Sequence, residues 1–137
     1  ARMREIVSQL DTCFGPNEDD VDFDNYADLN AQFHAELAGL AGSEVMRREV
    51  ERAAALPFAS PSAFLPNKLE IAAFKRSLRS AQDQHRAILN AIAAREGARA
   101  EAIAREHART ARGNLEYIFG QDPELIEKIP GLALIDR

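Results

Sequence analysis

From Asn67 to Arg95 the chain carries neither proline nor glycine, and Ile71, Phe74, Leu78, Ala81, Ile88 and Ile92 recur close to every 3.6 residues. An apolar stripe of that period belongs to a long helix with one face turned inward. The same period fills the other intervals between breakers. Met3, Ile6, Val7 and Leu10 mark a first helix from about Arg2 to Cys13, ended by Gly15-Pro16. Tyr26, Leu29, Phe33, Leu37 and Leu40 mark a second, which Asp22 or Asp24 can cap and Gly42 stops. Ser43 is a suitable N-cap for a third, from Glu44 to about Leu56, before Pro57, Pro61 and Pro66 exclude helix.

Gly97 can cap the C-terminus of the long helix. A fifth helix is predicted from Ala98 to about Phe119, with Ile103, Ala104, Ala111, Leu115 and Ile118 inward. Asp122-Pro123-Glu124 announces a short sixth that Ile129-Pro130-Gly131 closes. No strand-like alternation of useful length, internal repeat or low-complexity tract interrupts this pattern. The predicted fold is all-α, an antiparallel bundle of about six helices joined by short loops. A chain of 137 residues is the usual size of a single domain.

Charge narrows the functions open to such a bundle. A net charge of −5 argues against nucleic-acid binding by the chain alone, since phosphate contact needs a basic surface. No apolar run is long enough to span a bilayer, so no membrane partner is expected. Cys13, the only cysteine, cannot form an internal disulfide; a cytoplasmic setting and a buried, unreactive thiol are expected.

The polar residues of greatest interest are the three histidines. His34, His85 and His107 fall in three different helices, each on or beside its apolar stripe. An inward imidazole must satisfy two ring nitrogens, and three on packed helices can do so through a shared cation. Neutral imidazole suits zinc, nickel, copper or iron. One turn before each histidine stand Asn30, Ala81 and Ile103, of which Asn30 alone offers an oxygen. Asp28 points elsewhere and is expected in solvent.

Helical phase also suggests a ligand pocket beside the metal. Thr110 and Asn114 follow His107 on its face and can hydrogen-bond a ligand. Phe74 and Leu78 can form an apolar wall, with plain core packing the alternative. Arg48 and Arg52 form an i, i+4 pair able to reach a carboxylate, with solvation the alternative. Glu36 and Glu106 are offset from their neighbouring histidines, so no general base is placed for metal-assisted hydrolysis.

The segment Asn30-Ala31-Gln32-Phe33-His34, followed by Leu37 and Gly42-Ser43, resembles the D-x-x-F-H…L…G-N signature of the FCD domain. This is the C-terminal effector-binding domain of the FadR subfamily of GntR transcription regulators. QHRAILNAI and the stretch through His107 are similar to the family's second pattern, with its histidines 22 residues apart. The likeness extends from about Asp22 to Asn114.

It implies a bundle of six or seven helices and a divalent metal held by one aspartate and three histidines, which fall here on Asn30, His34, His85 and His107. Zinc is the first expectation, with nickel, manganese or iron as alternatives. The resemblance further implies a small carboxylate effector at the metal, no catalysis, a homodimer, and DNA contact only through a winged helix-turn-helix domain. Asn30 departs from the family's aspartate and implies weaker metal binding. Residues 1–137 are read as one effector-binding and oligomerisation domain, without the winged helix domain and without the family's first effector-domain helix. The competing readings are a metal-dependent hydrolase or lyase on a helical bundle and a helical interaction module with structural histidines.

Overall fold

The computed structural model describes residues 1–18, 20–55 and 72–121, apart from the side chains of 72–74 and 114–121. It is all-α. Five helices follow one another: α1 (Arg2–Thr12), α2 (Phe23–Gly39), α3 (Glu44–Ala54), α4 (Ala72–Ala93) and α5 (Gly97–Gln121). The predicted sixth helix, the prolines 57, 61 and 66, and the predicted start of the long helix at Asn67 lie outside the described residues. No strand occurs among the described residues, only an isolated bridge between Phe14 and Val21.

Local chemistry accounts for most boundaries. Asp22 rather than Asp24 caps α2, its carboxylate accepting from the Asn25 N–H at 3.2 Å. The Ser43 hydroxyl does the same for α3 at Met46 N–H, 3.3 Å. Gly42 adopts φ +63° between the two helices, a left-handed turn that glycine takes without steric cost.

The end of α4 departs from expectation. Gly97 is the first residue of α5, and the left-handed position is taken by Arg95, at φ 61°. The Glu96 N–H reaches the Ala91 carbonyl at 2.9 Å and the Arg95 N–H reaches Ile92 at 3.0 Å. These two bonds satisfy carbonyls the helix end would leave open, which offsets the cost of a side chain in that conformation.

The core forms where α1, α2 and α4 meet. Met3, Ile6, Val7 and Leu10 of α1, Tyr26, Leu29 and Phe33 of α2, and Leu78 and Ile88 of α4 are buried together. Ile103 and Ala104 of α5 pack against this cluster, partly buried. α5 runs along α4, to which it is joined through Ala94–Glu96. Leu40 and Ala111, both predicted inward, are exposed. Leu40 lies past the last turn of α2, where the stripe no longer has a helix to carry it. Cys13 is buried, and burial, ahead of the nearby Asp22 and Asp11 charges, pushes its thiol up, as expected of an unreactive cysteine.

The turn between α1 and α2 is clamped from α4. Arg79 donates to the carbonyls of Gly15 (3.0 Å), Glu18 (3.3 Å), Asp20 (3.3 Å) and Asn17, and lies over the Phe14 ring at 5.1 Å. At Gly15 a Cβ would stand 2.6 Å from the Asp20 Cβ, so the turn closes only around glycine. No described helix is long and apolar enough to cross a membrane.

Candidate metal centre

Four polar side chains break the buried face of this apolar core: Asn30 on α2, and Lys75, Gln82 and His85 on α4. Polar groups in such a place cost stability unless their hydrogen-bonding capacity is met. Among the described residues no buried side-chain nitrogen or oxygen lacks a partner. How His85 is satisfied defines the site.

His85, on α4, is fully buried, and Phe33 covers one side of its ring with centroids 4.3 Å apart. Its Nδ1 lies 3.0 Å from Gln82 Oε1. An amide oxygen only accepts, so Nδ1 carries the proton and Nε2 presents a bare lone pair. That lone pair faces His107 Nε2 of α5 at 3.2 Å, and His107 Nε2 faces His34 Nε2 of α2 at 3.4 Å. His107 repeats the pattern, its Nδ1 lying 3.0 Å from Gln84 Oε1. The three helices thus bring the three predicted rings to one point, each offering a nitrogen within 4.8 Å of the others.

Three neutral imidazoles hold three N–H protons, and here two of them are turned away toward glutamine oxygens. The His85–His107 contact is then a meeting of two lone pairs, repulsive unless a cation lies between them. A proton is disfavoured as that cation. Burial, then the His107 charge, lowers His34 to about 4. Burial, then His107 and His34, lowers His85 to about 2, and burial alone lowers His107.

A divalent metal suits the arrangement. With metal–nitrogen bonds of about 2.0–2.1 Å, the edge of a tetrahedron is about 3.3 Å, close to both Nε2 separations. The donor set fits: neutral rings need lose no proton to bind, and two of the three have the partner at Nδ1 that ligating histidines usually have.

The other predicted site residues fall differently. Asn30 is buried one turn before His34. Asp28 is exposed. Leu78 is a core residue, packed among the α1 and α2 side chains. Arg48 and Arg52 are exposed on α3 and paired with Glu44 (2.9 Å) and Glu49 (2.7 Å). Thr110, partly buried, donates back to the Glu106 carbonyl of its own helix at 3.0 Å. The side chains of Phe74 and Asn114 lie outside the described residues. Gln82 and Gln84 were missed by sequence reasoning, although Gln82 was within reach of it: it stands three residues before His85 and shares its face.

A family model, that of the FCD domain, matches residues 1–110, a span containing all three histidines and Asn30. No curated protein matches the chain. With most of its length matched and its helical fold in agreement, the chain belongs to the FCD domain family, the ligand-sensing regulatory domains of GntR-type transcription regulators.

Proposed function

We propose that this domain senses a small carboxylate-containing molecule through a divalent metal held by His34, His85 and His107, with Asn30 as a fourth ligand. The observation that carries the proposal is the meeting of three Nε2 atoms, from the buried His85 and the half-buried His34 and His107, at 3.2 and 3.4 Å along the His85–His107–His34 line. Zinc fits a set of three imidazole nitrogens and one amide oxygen best, followed by nickel, manganese or iron.

When bound, the metal supplies positive charge and open coordination positions to an anionic ligand. The chain's residues hold the rings in place, exclude water with the Phe33 ring, and keep the imidazoles neutral by burial. Asn30 brings no negative charge, so the carboxylate of the effector compensates the cation. Thr110 and Asn114, following His107 on α5, are suited to the effector's polar groups. Arg48 and Arg52 serve as surface ion-pair partners rather than effector ligands.

The domain binds rather than turns over its ligand. Glu36, Asp83 and Glu106, the acidic residues nearest the three histidines in sequence, are exposed, so none is held in the core as a base for metal-bound water. Effector binding biases the domain between two arrangements. A winged helix-turn-helix domain of the same regulator, in a cytoplasmic homodimer, reads that bias at DNA.

Metal analysis of protein purified without a nickel column, followed by calorimetric titration with lactate, malonate, gluconate and benzoate, tests this. The expected result is one metal per chain and saturable, metal-dependent binding of one acid class without turnover. Failure of zinc, nickel and manganese all to bind the metal-free protein refutes it.

A further inference from the structure

One side chain ties the histidine cluster to a helix that contributes no ligand to it. Gln82 is buried on α4, three residues before His85. Its Nε2 donates to the Val7 carbonyl at 3.1 Å and to Asp11 Oδ1 at 2.5 Å, both on α1. Two acceptors on one amide nitrogen fix which end of the carboxamide faces which way. Turning it over would set a carbonyl oxygen against a carbonyl and a carboxylate. Oε1 is therefore committed to His85 Nδ1, 3.0 Å away. Asp11 is itself held by Arg86 of α4, whose NH2 group reaches Oδ1 at 2.6 Å. The line Arg86–Asp11–Gln82–His85 crosses between the two helices and ends on Nδ1 of a ring whose other nitrogen faces His107.

We propose that Gln82 is a positioning residue for the metal centre: pinned by Asp11 and Val7 of α1, it holds His85 in the Nδ1–H tautomer with Nε2 bare toward the metal. This rests on the metal reading of the cluster and adds to it that the docking of α1 sets the readiness of a ligand on α4. Gln84 meets His107 Nδ1 at the same 3.0 Å but is only half-buried.

The test is the His85 tautomer in metal-free protein, read by long-range 1H–15N NMR at about pH 8, together with the zinc dissociation constant from chelator competition. In the wild type His85 is expected as Nδ1–H. Gln82→Met keeps the volume and removes the acceptor; it is expected to mix the tautomers and to weaken zinc binding about tenfold or more. Gln82→Glu made together with Asp11→Asn, which turns the facing carboxylate into a donor, retains the acceptor for His85 and is expected to restore the tautomer.

Should Gln82→Met fail to fold, Asp11→Ala decides. That side chain is 39% exposed, and its loss is expected to weaken zinc several-fold and to broaden the His85 signals. A wild-type His85 protonated on Nε2 overturns the proposal. So does a folded Gln82→Met protein with the Nδ1–H form and zinc affinity intact, or an Asp11→Ala protein unchanged in both. The tautomer answers for Gln82 even if zinc does not bind, so failure of the metal reading is seen separately, as absent zinc binding by the wild type.

Discussion

Acid should destabilise this domain well above the range in which carboxylates titrate, provided that no metal is bound. His34 titrates at about 4 in the folded chain and His85 at about 2, both chiefly because burial penalises the charged ring. In the unfolded chain each returns to 6.5. Between those values the unfolded chain binds more protons than the folded one, so stability rises with pH and is lost as pH falls below 6.5. At about pH 5.5 an unfolded histidine has gained about 1.4 kcal/mol from protonation that the folded one has not, against less than about 0.1 kcal/mol at about pH 7.5.

Two such residues make the expected loss about 3 kcal/mol, a large fraction of the roughly 5–15 kcal/mol that holds a domain together. His107, lowered in the same direction, adds to it. The figure depends little on how far below 5.5 the folded values lie. Urea unfolding of the chelator-treated protein at the two pH values, followed by circular dichroism, measures it. Replacing His34 by Gln should reduce the pH slope by about one proton. Equal stability at the two pH values, or greater stability in acid, refutes the reasoning: a proton would then be shared among the folded imidazoles, and the lone pairs would not be waiting for a metal.

Three further outcomes are expected. His85→Ala removes the most deeply buried ring of the cluster and should lower metal content and effector affinity together; full metal occupancy in that variant, measured by elemental analysis, would contradict the site. Asn30→Asp supplies the negative charge the family usually has there and should tighten zinc binding about tenfold in a competition titration; unchanged affinity places that side chain outside the coordination sphere. Phe33→Ala empties the space against His85 and the α1 face, and should cost about 3–5 kcal/mol in urea unfolding; a loss below about 1 kcal/mol would mean the ring is not a core element.

What the sequence determined by itself was local. The 3.6-residue stripes of α1, α2 and α4, the caps at Asp22 and Ser43 and the turn at Gly42 are set within a few residues of each site, and all could be read along the chain. So could the inward phase of the three histidines, because helical phase is a property of one helix. The exchange of roles at Arg95 and Gly97 was hidden, since a Schellman pair of bonds tolerates a side chain that steric rules alone would exclude. Leu78 showed the limit of phase: an inward residue can line a pocket or fill a core, and the α1 residues packed on it decided for core.

Only the tertiary structure settled how the helices rotate and slide against one another, for that depends on every contact in the core at once. It brought His34, His85 and His107 to a common point across 22 and 73 residues of chain. It placed Asp11 beside Gln82 across 71, and Arg79 over a turn about 60 residues away. Those long-range contacts, which no periodicity encodes, bring three inward imidazoles together.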